Sequence, residues 1–441
     1  MDSFALFPPE ITQFIFDNLA ASDKGLRYPL SKRLLPFQRR RLFRSVRLNS
    51  YEKLSQASAA ARCEQSPFLH TESIDIRIYT TSYDKLDASF APSNEEIWTF
   101  FRRLVNVRDL SIYSPRLSSS ILAPEPALPI FPNLTKLYLH SSFSDFDDPF
   151  DLSHYTPLSH YANLDTFYLN VERSSSSVKP LSQPRSPFPS MLSKLTDITL
   201  RGPLTTCRAS VTQFVNSHDS LKSICLDDLS GSSRLFEIVS GFSVQPQLWG
   251  LEFERFVTHS HPPRDNVADA LAKFSRLFPN LGYLRICGEC DLSSPSFYDA
   301  LGTLSLEYLT FEQGADSSLQ ELTKLICSGK MDEMVEIIFD NVEGERGTEI
   351  EEPYDDDELD GLEEPLHWIV PKWTEEFDEA GLVKFMEVAK REGIEVTGSA
   401  TEAFDIKKEY EEEKEKLDEL QYDRNERLAE LDRREELMSC W

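Results

Sequence analysis

The residues of this 441-residue chain point to an α/β solenoid in which one strand and one return segment repeat along the sequence. Three observations carry that reading. A short string recurs: an apolar residue, two variable residues, a second apolar residue, one variable residue and a third apolar residue. Its second and third anchors alternate with polar residues, the period-two pattern of a strand with one buried face. Several segments between the strings carry apolar residues three and four apart, the pattern of an amphipathic helix. One such unit cannot bury its apolar side alone, so stacked neighbours must bury it jointly.

Full copies of the string run through Val107–Ile112, Leu134–Leu139, Leu164–Leu169, Leu195–Leu200, Leu221–Leu226, Leu248–Phe253, Leu281–Ile286, Leu306–Phe311 and Met334–Phe339. Ile74-Asp75-Ile76 is an incomplete first member. The third anchors fall 25 to 36 residues apart, with a mean of about 29. Three copies share a lead-in: Phe131-Pro-Asn-Leu134, Phe278-Pro-Asn-Leu281 and the looser Tyr161-Ala-Asn-Leu164. Return helices are expected over 94–104, 265–278 and 317–327, with Phe100, Phe274 and Leu322 among their apolar residues.

These strings resemble the leucine-rich-repeat family, in its irregular, helix-containing form, over roughly residues 70–340. The chain departs from the family where the string ends. The usual Asn or Cys is absent, and Leu139 is followed by His140, Ser141 and Ser142.

Ahead of the repeats, Pro8 and Pro9 suit a helix start, and Ile11, Phe14, Ile15 and Leu19 then form an apolar stripe. Between Lys24 and Arg47 there are nine basic residues and no acid, and Leu42–Leu48 alternates like a strand. Phe7-Pro8-Pro9-Glu10-Ile11, Leu19, Asp23, Leu30-Ser31-Lys32 and Leu42-Phe43-Arg44-Ser45-Val46-Arg47-Leu48 together resemble an F-box, here of the fungal type that precedes leucine-rich repeats. The resemblance implies docking on the Skp-type adaptor of a cullin–RING ubiquitin ligase, with the repeats holding a protein substrate. Phe7, Pro8, Ile11, Ile15 and Leu19 match the adaptor-facing positions. The competing reading is a stripe that only caps the open end of the solenoid. The basic run reads as the solvated face of short helices, a nuclear-localisation patch or a site for the acidic tail.

Residues flanking the buried anchors point the other way and would line the concave sheet. They include Tyr113, Tyr138, His140, Tyr168, Asn170, Arg201, Asp227, Glu252, Glu254 and Arg285, the expected substrate-binding positions. The first half of this face is rich in Tyr and His, and the second half is mostly acidic. A partner would therefore contact the aromatic half and present basic groups to the acidic half, Tyr and Arg being frequent hot-spot residues. The alternative is that these strand positions tolerate any polar residue.

The net charge of −28 argues against nucleic acid as a partner. Residues 340–441 hold 35 acids against 13 bases, so most of that charge belongs to the tail. No apolar stretch approaches membrane-spanning length, and the N-terminus lacks the basic region of a signal peptide. Seven scattered cysteines suit a reducing compartment, cytoplasm or nucleus. Nucleotide-binding, hydrolase and zinc-protease motifs are missing, so no catalytic residue, cofactor or metal is expected. Cys287-Gly-Glu-Cys290 with His259 and His261 matches no zinc-finger spacing.

The expected organisation is an F-box-like segment over 1–48, the solenoid over 49–342 and an acidic disordered loop over 343–364. A capping unit over 365–398 and a charged helix over 399–441 follow. Apolar positions in that helix recur every 11 residues, which favours a lone solvated helix over a coiled coil and a monomer outside the complex. The functional expectation is a non-catalytic substrate-recognition subunit of a ubiquitin ligase. The alternatives are a leucine-rich-repeat GTPase-regulating protein with an acidic tail, and a protein-interaction scaffold outside any ligase.

Overall fold

The computed structural model describes residues 40–63, 66–78, 93–114, 117, 131–142, 158, 161–172, 192–205, 207–229, 235–254, 265–288, 290–292, 294–312, 315–340, 348–350, 368–370 and 379–398, with isolated positions beyond. The chain forms two compact units, Met1–Val257 with Lys273–Leu281, and Thr258–Ala272 with Gly282–Trp441. Both are α/β and built on parallel strands taken in sequence order.

The first unit carries β1 (Ser45–Leu48), β2 (Ser73–Arg77), β3 (Asp109–Tyr113), β4 (Lys136–Ser142), β5 (Thr166–Glu172), β6 (Asp197–Gly202), β7 (Ser223–Asp228) and β8 (Gly250–Glu254). Each pairs in parallel with the next, and the register aligns the repeats anchor on anchor. Ile76, Ile112, Leu139, Leu169, Leu200, Leu226 and Phe253 form one column of partners, each buried. A parallel column runs through Ile74, Leu110, Leu137, Phe167, Ile198, Ile224 and Leu251. The sheet starts one strand earlier than the incomplete first string suggested. Ser45–Leu48, the end of the F-box-like segment, pairs with Ser73–Ile76.

The register is set just before each strand. The Glu72 carbonyl accepts the N–H groups of both Arg108 and Asp109, at 2.7 and 3.1 Å. The Arg108, Thr135, Asp165, Thr196 and Lys222 carbonyls each accept two N–H groups from the following repeat in the same way. Upstream lies a tight turn closed by an i→i+3 bond, from the Leu134 N–H to the Phe131 carbonyl and from Leu164 to Tyr161. Asparagines in these turns bridge repeats. Asn106 donates to the Leu69 carbonyl at 2.7 Å, Asn133 to Val105 at 3.0 Å and Asn163 to Pro132 at 3.3 Å. The inter-repeat asparagine bonds are thus made before the strand, which accounts for an asparagine in the lead-in and none after Leu139.

The first residue of each turn adds a further buried column: Leu104, Phe131, Tyr161, Leu192, His218, Gln245 and Phe278. Burial pushes the Tyr161 phenol up to about 12. His218 Nδ1 lies 2.8 Å from the Phe214 carbonyl, and its ring centroid is 4.9 Å from that of Phe214.

Return segments of the first unit include α1 (Tyr51–Ala61), α2 (Asn94–Arg102), α3 (Arg208–Asn216) and α4 (Leu235–Val239). Helix α2 starts with a reciprocal cap. Glu96 N–H donates to Ser93 Oγ, and Ser93 N–H donates to the Glu96 carboxylate, which the latter bond holds below its usual pKa. The next helix, α5 (Asp265–Leu277), buries Leu271 and Phe274.

The second unit carries β9 (Tyr283–Cys287), β10 (Cys290–Leu292), α6 (Pro295–Leu301), β11 (Tyr308–Glu312), β12 (Ala315–Ser317), α7 (Leu319–Cys327) and β13 (Glu336–Asp340). Beyond them lie β14 (Thr348–Ile350), β15 (Trp368–Val370), α8 (Glu379–Arg391) and β16 (Glu395–Thr397). β9, β11, β13 and β16 pair in parallel, with Ile286, Phe311 and Phe339 in register. The segment expected to be a disordered acidic loop contains β14, which pairs antiparallel with β15, its Ile350 opposite Trp368. Where β16 closes the sheet, Gly398 has φ +103 and an added Cβ would lie 2.5 Å from the Phe339 carbonyl oxygen, so only glycine fits. Of residues 399–441, the described positions from Thr401 to Tyr422 are helical.

Two outcomes follow from this packing. Leu200→Ala removes a fully buried anchor and lowers the unfolding free energy by about 2–5 kcal/mol in urea melts. Burial holds the His218 imidazole below its ordinary value, so the unfolded chain binds that proton more readily. Its contribution to stability is full above the free-histidine pKa of about 6.5 and falls as the pH drops below it. The melting temperature of His218→Gln therefore falls less than that of the wild type between pH 7.5 and 5.5.

Candidate functional site

The side of the first sheet opposite the buried columns carries two ladders fixed by the same register. One runs Asp75, Ser111, Tyr138, Tyr168, Thr199, Cys225 and Glu252. The other runs Arg77, Tyr113, His140, Asn170, Arg201, Asp227 and Glu254. Nine of the ten expected binding residues lie on these ladders. Arg285 lies in the second unit, where its guanidinium makes a bidentate pair with Glu312 at 2.8 and 2.6 Å. Phe7, Pro8, Ile11, Ile15 and Leu19 lie outside the described residues.

At the β2–β5 end the face is aromatic. The Tyr138 and Tyr168 ring centroids are 5.7 Å apart, and those of Tyr113 and His140 are 6.2 Å apart. The Arg77 guanidinium caps this second pair, 4.9 Å from the Tyr113 ring centroid, and is held from the other side by Asp75 at 3.0 Å. Arg77 was missed in the sequence, although it follows anchor Ile76 as Tyr113 follows Ile112. A complete first string would have exposed it.

In the middle sits an ion pair. Arg201 Nε is 3.1 Å from Asp227 Oδ2, and the Asp227 side chain is 1% exposed. Desolvation pushes the Tyr168 phenol upward, a rise opposed by its hydrogen bond and proximity to the Arg201 guanidinium. Asp227 is therefore not an open acidic contact, as the sequence suggested, but a buried counter-ion that holds Arg201. Burial of a carboxylate is tolerated only with such pairing. Asn170, 8% exposed, projects from the same face between His140 and Arg201, and its Oδ1 has no hydrogen-bond partner.

At the β7–β8 end, Cys225 Sγ and carboxylate oxygens of Glu252 and Glu254 all lie within 4.8 Å of one another. The register explains the meeting: Cys225 is opposite Glu252, and Glu254 is two residues farther along the same face. Two carboxylates that close repel by about 1 kcal/mol even at the dielectric of water, and by more where solvent is partly excluded. Among the described residues this is the one group of three with metal-ligand donor types in reach.

Comparison with models of known protein families finds no match, and neither does comparison with curated proteins. Among solved structures, a protein from Bacteroides fragilis determined by a structural genomics consortium aligns at a TM-score of 0.28 and 11% identity, over 67% of each chain.

Arg201→Met leaves the Asp227 carboxylate without its guanidinium and costs about 3 kcal/mol in denaturant melts. Arg201→Met/Asp227→Leu recovers most of that loss, because the uncompensated buried charge goes with it.

Proposed function

We propose that the chain is a non-catalytic recognition subunit of a cullin–RING ubiquitin ligase. Its N-terminal segment docks a Skp-type adaptor, and the open face of the first unit binds a protein substrate. The observation that carries the second half is the alignment of Tyr113, Tyr138, Tyr168 and Arg201 on one side of four consecutive strands, β3 to β6. Tyrosine and arginine are the residue types that dominate protein interfaces, and rigid paired rings lose little entropy on binding. The Arg201–Asp227 pair and the Arg77 cap fix these side chains before a partner arrives, which lowers the cost of association. Support for the first half is the F-box resemblance of Phe7 to Leu48.

The test is capture of a purified Skp-type adaptor by the full-length chain. Pro8→Ala/Ile11→Asp is expected to reduce recovery at least about tenfold while leaving the melting temperature of the repeats unchanged. Failure of the intact chain to retain the adaptor contradicts the ligase reading. Stimulation of GTP hydrolysis by the chain would instead favour the GTPase-regulating alternative.

A further inference from the structure

We infer that Asn170 and the Tyr138–Tyr168 pair hold the main chain of an uncharged, extended segment of a protein partner. The Asn170 amide takes one backbone N–H of that segment, and an apolar or aromatic side chain of the segment lies on the tyrosine rings. The inference rests on the reading of this face as protein-binding and names the chemistry that it selects.

The group that calls for a ligand is the amide. Leu169 and Val171 are buried on the anchor side, so the alternation of β5 turns Asn170 to the open face, where the residue is 8% exposed. Its Oδ1 is buried and has no hydrogen-bond partner among the described residues. An acceptor left in that state costs free energy in the unbound chain, and a bound N–H recovers it. The terminal torsion of an asparagine is soft, so the amide turns toward the face at little cost. Its Nδ2 then donates to a carbonyl of the same segment.

The neighbours decide what kind of donor fits. Each cation on this half of the face has an acid beside it: Arg77 has Asp75, Arg201 has Asp227, and Lys136 stands opposite Asp109 in register. An ionic ligand competes with those pairs, whereas a peptide group leaves them intact. The Tyr138 and Tyr168 rings, 5.7 Å apart and tilted by 36°, form an amphipathic ledge that suits an apolar side chain. Asn170 lies two residues beyond Tyr168 on the same side of β5, about 7 Å farther along the strand. The segment therefore carries its apolar residue and the recognised N–H about two residues apart.

The test selects random peptides of about 12 residues, long enough to span the site when extended, by display on the full-length chain. Enriched peptides are measured by fluorescence anisotropy, and each is remade with one backbone N-methyl group at a time, which removes a single N–H. Methylation at one position, about two residues from an apolar or aromatic side chain, should weaken binding roughly tenfold. Asn170→Leu keeps the branched shape and removes both amide groups. It should bind the unmodified peptide about tenfold more weakly and lose less than about twofold more on methylation at that position. Because it also removes an unsatisfied acceptor, Asn170→Leu should melt at or above the wild-type temperature. Asn170→Ala, which cannot overpack the site, should give the same peptide result. Tyr138→Ala/Tyr168→Ala should weaken the peptides roughly tenfold in a chain that thermal melts show to be folded. Affinity should change less than about twofold between about 0.05 and 0.5 M salt.

Four results would overturn the inference. One is enrichment of no peptide. Another is a methylation effect that is the same in wild type and in both Asn170 variants. A third is a lowered melting temperature in both Asn170 variants, which would show the amide to be satisfied within the chain. The last is binding that collapses in salt, which is attraction to charge. Peptides that depend on the tyrosines but not on Asn170 refute the inference and leave the face as protein-binding. Adaptor capture is read separately, so the ligase reading stands or falls without this result.

Discussion

One backbone carbonyl per repeat, accepting two N–H groups from the repeat that follows, governs the rest of the first unit. Glu72, Arg108, Thr135, Asp165, Thr196 and Lys222 play this part in turn. The bond pair admits a single register, because a shift of one residue would send the whole anchor set to solvent. Ile112, Leu139, Leu169 and Leu200 can therefore stack in one buried column although the loops between them differ in length. The asparagines of the preceding turns add a side-chain bond at the same edge, which restrains each turn against its neighbour.

The same constraint builds the open face of the first unit. Once the anchors point inward, the residues beside them have no choice but to align outward, and like falls beside like. Tyr138 meets Tyr168 and Tyr113 meets His140, because each sits next to a third anchor. Arg201 meets Asp227 for the same reason, and that pair separates an aromatic end from an acidic end. Desolvating Asp227 is costly, and the cost is tolerated because it holds Arg201 in one orientation beside Tyr168.

Much of this was legible in the sequence. The spacing of the strings located β2 to β9, β11 and β13, though not β10 and β12, and the flanking rule placed Tyr138, Tyr168 and Glu254 on the side opposite the buried anchors. Expected helices over 94–104, 265–278 and 317–327 correspond to α2, α5 and α7. What stayed hidden depended on neighbours. Helices α1 and α3 contain few large apolar residues, and in α1 alanine and serine fill most of the buried stripe, so their periodicity is faint. Asp227 looked like an exposed acid because a strand pattern gives direction but not the burial created by Arg201 across the sheet. Cys225 looked like a small filler, since its approach to Glu252 and Glu254 arises only from strand register. His218 and Gln245 are polar, which concealed that they occupy the buried column of Phe131 and Tyr161.

A partner is proposed to engage this one face of the first unit. Carboxylate and tyrosine footprinting by mass spectrometry, on the full-length chain alone and in complex with its captured substrate, tests that most directly. Protection of Tyr138, Tyr168, Glu252 and Glu254 is expected in the complex, with Tyr422, which is exposed outside the two ladders, unchanged. Unaltered labelling of those four residues, with protection appearing elsewhere on the chain, would contradict it.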